Sequence, residues 1–431
     1  MLARYRTAVH NAIWTLGGVL LATCVAIVLS NLQTSAKTIA HEIVHAYGIR
    51  DPEFARSVGT LLGPALVPGN HVSALYNGDE IFPAMLDAIA SATRSVTFET
   101  YIYWSGGIGR AFGEALAERA RAGVRVHVLL DWMGSGKIDG ATITGMQSAG
   151  VEVERYRPPR WYGLGRLNHR THRKLLVVDG RVGFTGGVGI ADNWMGHAQD
   201  PDHWRDSHFR LEGPAVAQMQ AAFMDNWIEA RGVVLHGDDY FPPLATAGDE
   251  IAQVFKSSAG EASESVRFLY LLSIACAEKN VRIANAYFVP GALSVTTLVA
   301  AARRGVDVEI IVPGRHTDAI IVRRASRAFW GPLLEAGVSI YEYQPTMYHT
   351  KVMTVDDLWT SVGSTNFDSR SFRLNDEANL NVLDAGFARS QAAKFEEDKR
   401  LSRRITLATW RRRPWAKRMI DSIAGWLRPQ L

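Results

Sequence analysis

Two stretches of the chain repeat the same order of apolar and polar positions. The first runs from VTFETYIYW (Val96–Trp104), through a helical pattern ending ERARAG, to VRVHVLL (Val124–Leu130). The second runs from VRIANAYFVP (Val281–Pro290), through a helical pattern ending AAARRG, to VDVEIIVP (Val306–Pro313). Each continues through a further helix ending in Ala-Gly, at Gln147–Gly150 and Leu334–Gly337, into the short runs VEVERY and VSIYEY. Short β-branched and aromatic runs bounded by turn formers predict strands, and the periodic segments between them predict helices. Strands alternating with helices predict βαβ units and a largely parallel or mixed sheet in each half, so the expected class is α/β. The join between halves is expected within Gly232–Gly248, which is rich in turn formers.

The N-terminal pattern is different. No charged residue occurs between Arg6 and Lys37, and Ala12–Leu29 reads AIWTLGGVLLATCVAIVL. Helical, such a run matches the roughly 30 Å hydrocarbon core of a bilayer. Arg4 and Arg6 favour a cytoplasmic N-terminus, which predicts a single transmembrane helix in a cell (inner) membrane. The rival is a cleaved signal peptide with Thr34-Ser35-Ala36 at the cleavage site, although the apolar run exceeds the usual h-region of about 7–15 residues. A lipoprotein reading of Leu21–Cys24 is disfavoured because apolar residues continue past the cysteine. The expected organisation is an anchor over 1–36, a linker over 37–69, domains over 70–240 and 241–398, and a tail over 399–431.

Composition changes this picture little. At 431 residues, 47% hydrophobic and 21% charged, the chain suits two globular domains. Its 47 basic and 43 acidic residues nearly balance, which does not suggest a nucleic-acid binder. The two cysteines, Cys24 and Cys276, have no metal-ligand spacing and suggest neither a zinc site nor a disulfide.

The chemistry is carried by a motif that occurs once in each half. HRKLLVVD supplies His172, Lys174 and Asp179, and HTKVMTVD supplies His349, Lys351 and Asp356. The chain has only nine lysines, so two chance matches to H-x-K-x-x-x-x-D are expected on the order of once in ten thousand such chains. Histidine and lysine two apart on a strand share a face, whereas the aspartate at an odd offset does not. Asp179-Gly180 and Asp356-Asp357 read as hairpin turns, so these aspartates are expected to orient the motif. Small residues follow at equal distance, Gly186-Gly187 in one half and Gly363-Ser364 in the other. Such pairs allow close backbone approach to an anion.

These motifs, with GSTNFDSRSFRLNDE after the second, resemble the phospholipase D superfamily over nearly everything past residue 70. GNHVSALYNGDEIFPAMLDAIASA, FETYIYW and WRDSHFRLEGPAV look most like bacterial cardiolipin synthases of the B-type branch. The resemblance implies two phospholipase D-like α/β domains related by pseudo-twofold symmetry, with both motifs meeting in one site. It further implies substrate contacts from Ser364 and Asn366, the latter on one side only, because Gly189 stands where the first half would need its asparagine. Histidine orientation is expected from Asp206 for the first motif and Glu377 for the second, with Glu99 a third acidic candidate.

Mechanism follows from residue type as well. A phosphodiester monoanion repels anionic nucleophiles, so neutral imidazole suits attack and a second, protonated imidazole suits the leaving alkoxide. Lys174 and Lys351 would stabilise the non-bridging oxygens, and no metal or other cofactor is expected. By resemblance His172 is the nucleophile and His349 the acid/base, although the residues themselves do not break that near-symmetry. His169, His203 and His208 read as ordinary surface or packing residues.

The extra stretch Arg157–Arg170 before the first motif is a candidate substrate-facing loop or a plain surface loop. In the tail, ten Lys or Arg accompany one acidic residue, Asp421, and three tryptophans. That mixture suits an amphipathic segment in an anionic membrane interface, or a tail packed over its own second domain. The expected reaction is phosphatidyl transfer between two phosphatidylglycerols through a phosphohistidine, releasing glycerol. Hydrolytic phospholipase D, another phosphatidyltransferase and a nuclease-type phosphodiesterase are the alternatives.

Overall fold

In the computed structural model, residues 10, 11, 14–23, 39, 41–159, 168–258 and 264–431 are described. The first half contributes β1 (Val67–Tyr76), β2 (Ser95–Thr100), β3 (Arg125–Asp131), β4 (Glu152–Tyr156), β5 (Arg170–Thr171), β6 (Leu175–Val178), β7 (Val182–Gly186) and β8 (Ser207–Glu212). The second contributes β9 (Glu250–Ser257), β10 (Asn280–Asn285), β11 (Asp307–Pro313), β12 (Ser339–Tyr343), β13 (Lys351–Val355), β14 (Trp359–Gly363), β15 (Asn375–Leu383) and β16 (Ser402–Ile405).

They form one continuous sheet whose order is a palindrome. From one edge it runs β4-β3-β2-β6-β7-β8-β1, then β9-β15-β14-β13-β10-β11-β12, with β16 added at the far edge. Apart from β5 and β16, each strand of one half has its counterpart at the mirrored place in the other. The βαβ strands β2, β3 and β4 pair in parallel, as do β10, β11 and β12, while the motif hairpins pair antiparallel. The halves meet at an antiparallel seam between β1 and β9.

Helices cover both faces, so the central strands carry near-continuous apolar runs rather than alternation. Every residue of β2, SVTFET, is buried. Ile81, Phe82, Phe112 and Leu116, from the helices Asn77–Ala90 and Gly107–Arg121, pack on one face of the first half. Met219, Phe223 and Trp227, from the helix Val216–Arg231, join a core that crosses the seam to Val254, Leu380 and Phe395.

Two expected strands run too far. β2 stops at Thr100 and β10 at Asn285, where Val96–Trp104 and Val281–Pro290 read as continuous. Beyond those ends Tyr101, Trp104 and Tyr287 line a cleft at the sheet's carboxyl edge, the place where open α/β sheets bind ligands, while Tyr103 and Phe288 turn into the cores.

The N-terminal run lies partly outside the described residues. Residues 10, 11 and 14–23 are helical, and among the described residues no helix is long and apolar enough to cross a membrane. The tail folds onto its own second half. β16 pairs antiparallel with β12, and the helix Trp415–Trp426 packs against the helix Ile320–Ala328 through Ala424 and Ala325.

Candidate active site

Each motif occupies the same local frame. The motif hairpins turn at Asp179-Gly180 and Asp356-Asp357, with φ of +52°, +63°, +54° and +52° in that order. Positive φ at both turn positions matches the twist of a tight hairpin. The turn aspartates face away from the histidines. Asp179 accepts from the backbone N–H groups of Thr93, Arg94 and Ser95, and Asp356 from those of Glu278, Lys279 and Asn280, at 2.7–3.2 Å. They tie the hairpin to the loop that leads into β2 or β10.

The histidines precede the hairpin strands rather than lying within them. β5 pairs with the start of β15, so His172 N donates to Asp376 O at 2.8 Å. In the mirrored place Arg205 N donates to Met347 O at 2.9 Å and His349 N to Arg205 O at 2.8 Å. Each motif is thereby stitched to the other half, which corrects the expected carboxylate pairing. Glu377 reaches His172, with Nδ1 3.0 and 3.1 Å from its two oxygens, and Asp206 reaches His349, with Nδ1 2.7 Å from Oδ2. The acids cross because each stands at the start of a strand whose leading residues pair with the other half's motif.

Both carboxylates are buried and anchored. Ser364 Oγ donates to Glu377 at 2.5 Å, and the Trp194 indole N–H donates to Asp206 at 2.8 Å. Burial opposes ionisation, but His172, Lys174 and Ser364 hold the Glu377 carboxyl below its ordinary value. His349, Lys351 and the Ser207 N–H do the same for Asp206. With Nδ1 of each ring on a carboxylate, Nε2 is the nitrogen left for chemistry.

Glu99 is not a histidine partner. It lies buried under β5, accepting from Thr171 Oγ1 and from Asn226 Nδ2 at 2.6 Å, and burial pushes its carboxyl up to about 7. It supports the residue before His172 rather than either ring. Of the other histidines, His203 pairs with Asp200 at 2.8 Å, and buried His208 is pushed down to about 3 by desolvation.

The cleft has a volume of about 600 Å³, and His172, Lys174, His349 and Asn366 line it. Lys174 Nζ donates to the His172 carbonyl at 2.8 Å, and Lys351 Nζ to the His349 carbonyl at 2.7 Å. Burial, and then the like charge of Lys351, push Lys174 down to about 7. Burial likewise pushes Lys351 down to about 8 despite Asp206 and Glu377. Burial lowers both histidines, His172 to about 4, so the rings are neutral near pH 7. Two desolvated cations beside two neutral imidazoles suit a monoanionic phosphodiester. Asn366 lines the cleft with its Oδ1 buried and unpartnered among the described residues, an acceptor left over, while its Nδ2–H is the group that can donate to an anion.

Several lining residues carry no motif and were not singled out from the sequence. Tyr101 lies 5.2 Å from the His172 ring, and Trp194, Trp204 and Tyr287 lie 5.3, 5.6 and 6.2 Å from the His349 ring. Tyr101 and Tyr287 had a sequence signal only in the aromatic runs that overshoot β2 and β10, and Trp194 and Trp204 lie outside those runs. Asp318, Asp368, Arg370 and Lys137 also line the cleft. The candidate loop Arg157–Arg170 lies partly outside the described residues, but Arg170 at its end reaches the cleft.

A domain family described as cardiolipin synthase, phospholipase D-like domain, matches residues 85–227 and 270–399. Cardiolipin synthase 1 of Bacillus cereus is 35% identical over 367 residues, 83% of this chain and 72% of that protein. The probable cardiolipin synthase YwiE of Bacillus subtilis is 36% identical over 358 residues, 82% of this chain and 71% of that protein. Among solved structures, the phosphatidylserine synthase of Haemophilus influenzae superposes with a TM-score of 0.65 at 13% identity, covering 84% of this chain and 95% of that one, which is a likeness of fold. With one motif in each matched segment and both motifs facing one cleft, the chain belongs to the cardiolipin synthase, phospholipase D-like family.

Proposed function

We propose that the protein is a cardiolipin synthase that transfers a phosphatidyl group between two phosphatidylglycerols and releases glycerol. The observation that carries this reading is the crossed pair of carboxylates, which leaves Nε2 of two neutral histidines for one cleft. His172 Nε2 attacks phosphorus and the P–O bond to the head-group glycerol breaks. His349, protonated, gives its proton to the departing oxygen. The second lipid's hydroxyl then returns a proton to His349 as its oxygen attacks phosphorus and the P–N bond breaks. His349 is neutral in the empty site, and a bound phosphate anion raises its affinity for that proton. Lys174, Lys351 and Asn366 stabilise charge on the non-bridging oxygens.

Phosphatidylglycerol vesicles incubated in isotopically labelled water test this reading. Cardiolipin and glycerol are the expected main products. Labelled phosphatidic acid as the dominant product would make the protein a hydrolytic phospholipase D. Turnover is expected to survive EDTA, because the lysines occupy the place a cation takes in other phosphoryl-transfer sites.

A membrane setting is part of the same proposal, with an anchor over 1–36 and the tail helix Trp415–Trp426 lying in the interface. That helix leaves Trp415 75% and Trp426 81% exposed, with Met419 and Ile423 between them and Lys417 and Arg418 alongside. Apolar residues mixed with basic ones suit an anionic bilayer surface. In protein lacking 1–36, Trp415→Ser/Trp426→Ser should weaken binding to anionic vesicles. Equal sedimentation with and without these changes would remove the helix from the proposal.

A further inference from the structure

Three cations of the cleft stand without a carboxylate at ion-pair distance among the described residues. Arg170, Arg370 and Lys137 all line it. Arg370 donates to the carbonyl and side-chain oxygens of Asn168 at 3.3 and 2.8 Å, and to the Gln430 carbonyl at 3.2 Å. Arg170 donates to the His169 carbonyl at 2.9 Å, and Lys137 Nζ lies 4.0 Å from the Trp104 ring centre. All these partners are neutral. Among the described residues, no carboxylate oxygen lies within 4.0 Å of any of the three cations. Elsewhere a buried arginine has its counter-ion, as Arg205 has Asp398 at 2.9 Å.

The acids in the cleft are already engaged. Asp368 accepts from Ser371 N at 2.8 Å, and burial pushes its carboxyl up to about 7. Asp318 accepts from the Tyr287 hydroxyl. Burial lowers the Arg370 guanidinium, Asp368 and Tyr101 oppose this, and the like charge of Arg170 adds to it. Two like-charged guanidiniums with no carboxylate in ion-pair contact form an arrangement that a bidentate phosphate relieves.

The cardiolipin synthase reading, on which this inference rests, needs a second phosphate site. The donor's phosphorus belongs at the histidine–lysine pairs. The acceptor carries its own phosphodiester, separated from the attacking hydroxyl by the carbons of its glycerol, whereas water and free glycerol carry none. We propose that Arg170 and Arg370, with Lys137, bind the phosphodiester of the acceptor lipid and so set the preference for an anionic lipid alcohol over water. Specificity then resides in a contact that only the correct acceptor makes.

The test uses the full chain with phosphatidylglycerol vesicles, labelled free glycerol and labelled water, and counts cardiolipin, glycerol-exchanged lipid and phosphatidic acid together. Glycerol exchange reports phosphatidyl attachment and its return to an alcohol without phosphate. In Arg170→Gln/Arg370→Gln the ratio of cardiolipin to exchange should fall at least tenfold. In Arg170→Lys/Arg370→Lys most of that ratio should be kept. Inorganic phosphate should inhibit cardiolipin formation in the unaltered protein and do so less in the glutamine variant. A parallel fall of all three products would mean a structural role and overturn the inference. Loss of phosphate inhibition with an unchanged ratio would mean a free-anion site and overturn it too. Unaltered protein that exchanges glycerol but makes no cardiolipin overturns the synthase reading along with the subsite, whereas cardiolipin formation with an unchanged ratio in the glutamine variant overturns the subsite alone.

Discussion

The two half-sites hold their histidines with the same geometry but different chemistry. At His172 the carboxylate is Glu377, fixed by a serine hydroxyl that also accepts from Ala378 N at 3.0 Å. At His349 it is the shorter Asp206, fixed by the Trp194 indole. The small residues of the first half follow from that exchange. A Cβ at Gly187 would fall 2.2 Å from Asp206 Oδ1, and one at Gly189 would fall 2.8 Å from the Ile102 side chain. The first half therefore has no room for the serine and asparagine that the second half presents as Ser364 and Asn366. Its tryptophan also joins Trp204 and Tyr287 around the His349 ring, whereas among the described residues His172 has Tyr101 alone. The duplicated fold thus yields one polar half-site and one aromatic half-site, which suits a reaction in which only one histidine forms the bond to phosphorus.

The largest effects should come from the histidines. His172→Ala and His349→Ala should each abolish phosphatidyl transfer, and mixing the two variants should not restore it, because the site is composite within one chain. Substantial turnover by either variant alone would break the division of labour. An asymmetry remains measurable: with a phosphatidyl donor whose leaving group needs no proton, such as p-nitrophenol, only the nucleophile variant should fail to trap a phosphatidyl-enzyme after acid quench.

The crossed acids come next. Glu377→Gln and Asp206→Asn remove the charge that fixes each ring's tautomer, and the comparable change in a serine-protease triad costs roughly 10⁴-fold. Losses of about 10²–10⁴-fold in kcat are expected here. Glu377→Gln should slow attachment to His172, and Asp206→Asn should slow both steps, because its partner His349 gives a proton in the first and takes one in the second. If Asp206→Asn instead impaired trapping of the phosphatidyl-enzyme while Glu377→Gln left it intact, the pairing or the assignment of nucleophile would be wrong.

The motif and the duplication were legible because they are local: a seven-residue spacing, small residues at equal offsets, and strands with matching order. The crossing was not, because it depends on β5 pairing with β15 and on Arg205 reaching Met347. Those contacts join positions far apart in the chain, and one sequence carries no record of them. Glu99 was misread because it lies near the end of a strand that leads into the site, yet its side chain faces Asn226. Of the aromatic wall, only Tyr101 and Tyr287 were visible, as strands that ran too long. An apolar run records burial, not whether the neighbour is a sheet or a cleft.

A pH profile sharpens the comparison with a smaller effect. For kcat/KM, which reports the free enzyme, His172 must be neutral, so activity should rise as pH increases through about 4. His349 must carry a proton for the first step, and burial holds its affinity for that proton below the ordinary value, so activity should fall first as that proton is lost. Lys174 and Lys351 must be charged, and the fall should steepen as they lose their protons through about 7 and about 8. Lys174→Arg should remove the part of the basic limb near pH 7 at reduced rate, because guanidinium keeps its charge when buried. A basic limb unmoved by that substitution would assign it to another group.

The smallest expected effect concerns the aromatic half-site and the competition between water and lipid. After the phosphatidyl group is attached to His172, an oxygen must enter beside His349 and give up its proton there. Water is near 55 M, so a synthase must keep it from this position, and oriented binding of the lipid hydroxyl supplies effective concentrations of about 10⁵–10⁸ M only while the geometry holds. Trp194 is committed to Asp206 and cannot be removed without loosening His349. Trp204 is different: its ring lies against the same imidazole, lines the cleft and is absent from the carboxylate's anchoring. Trp204→Ala should therefore leave phosphatidyl-enzyme formation within a few-fold of the unaltered rate and raise the share of phosphatidic acid severalfold at the expense of cardiolipin. The opposite change at the polar half-site, Tyr101→Ala, should slow attachment more than it alters the product ratio, because Tyr101 lies against the histidine that bonds to phosphorus. Equal shifts in product ratio from both variants would show that water is excluded by the cleft as a whole and not by the wall around His349.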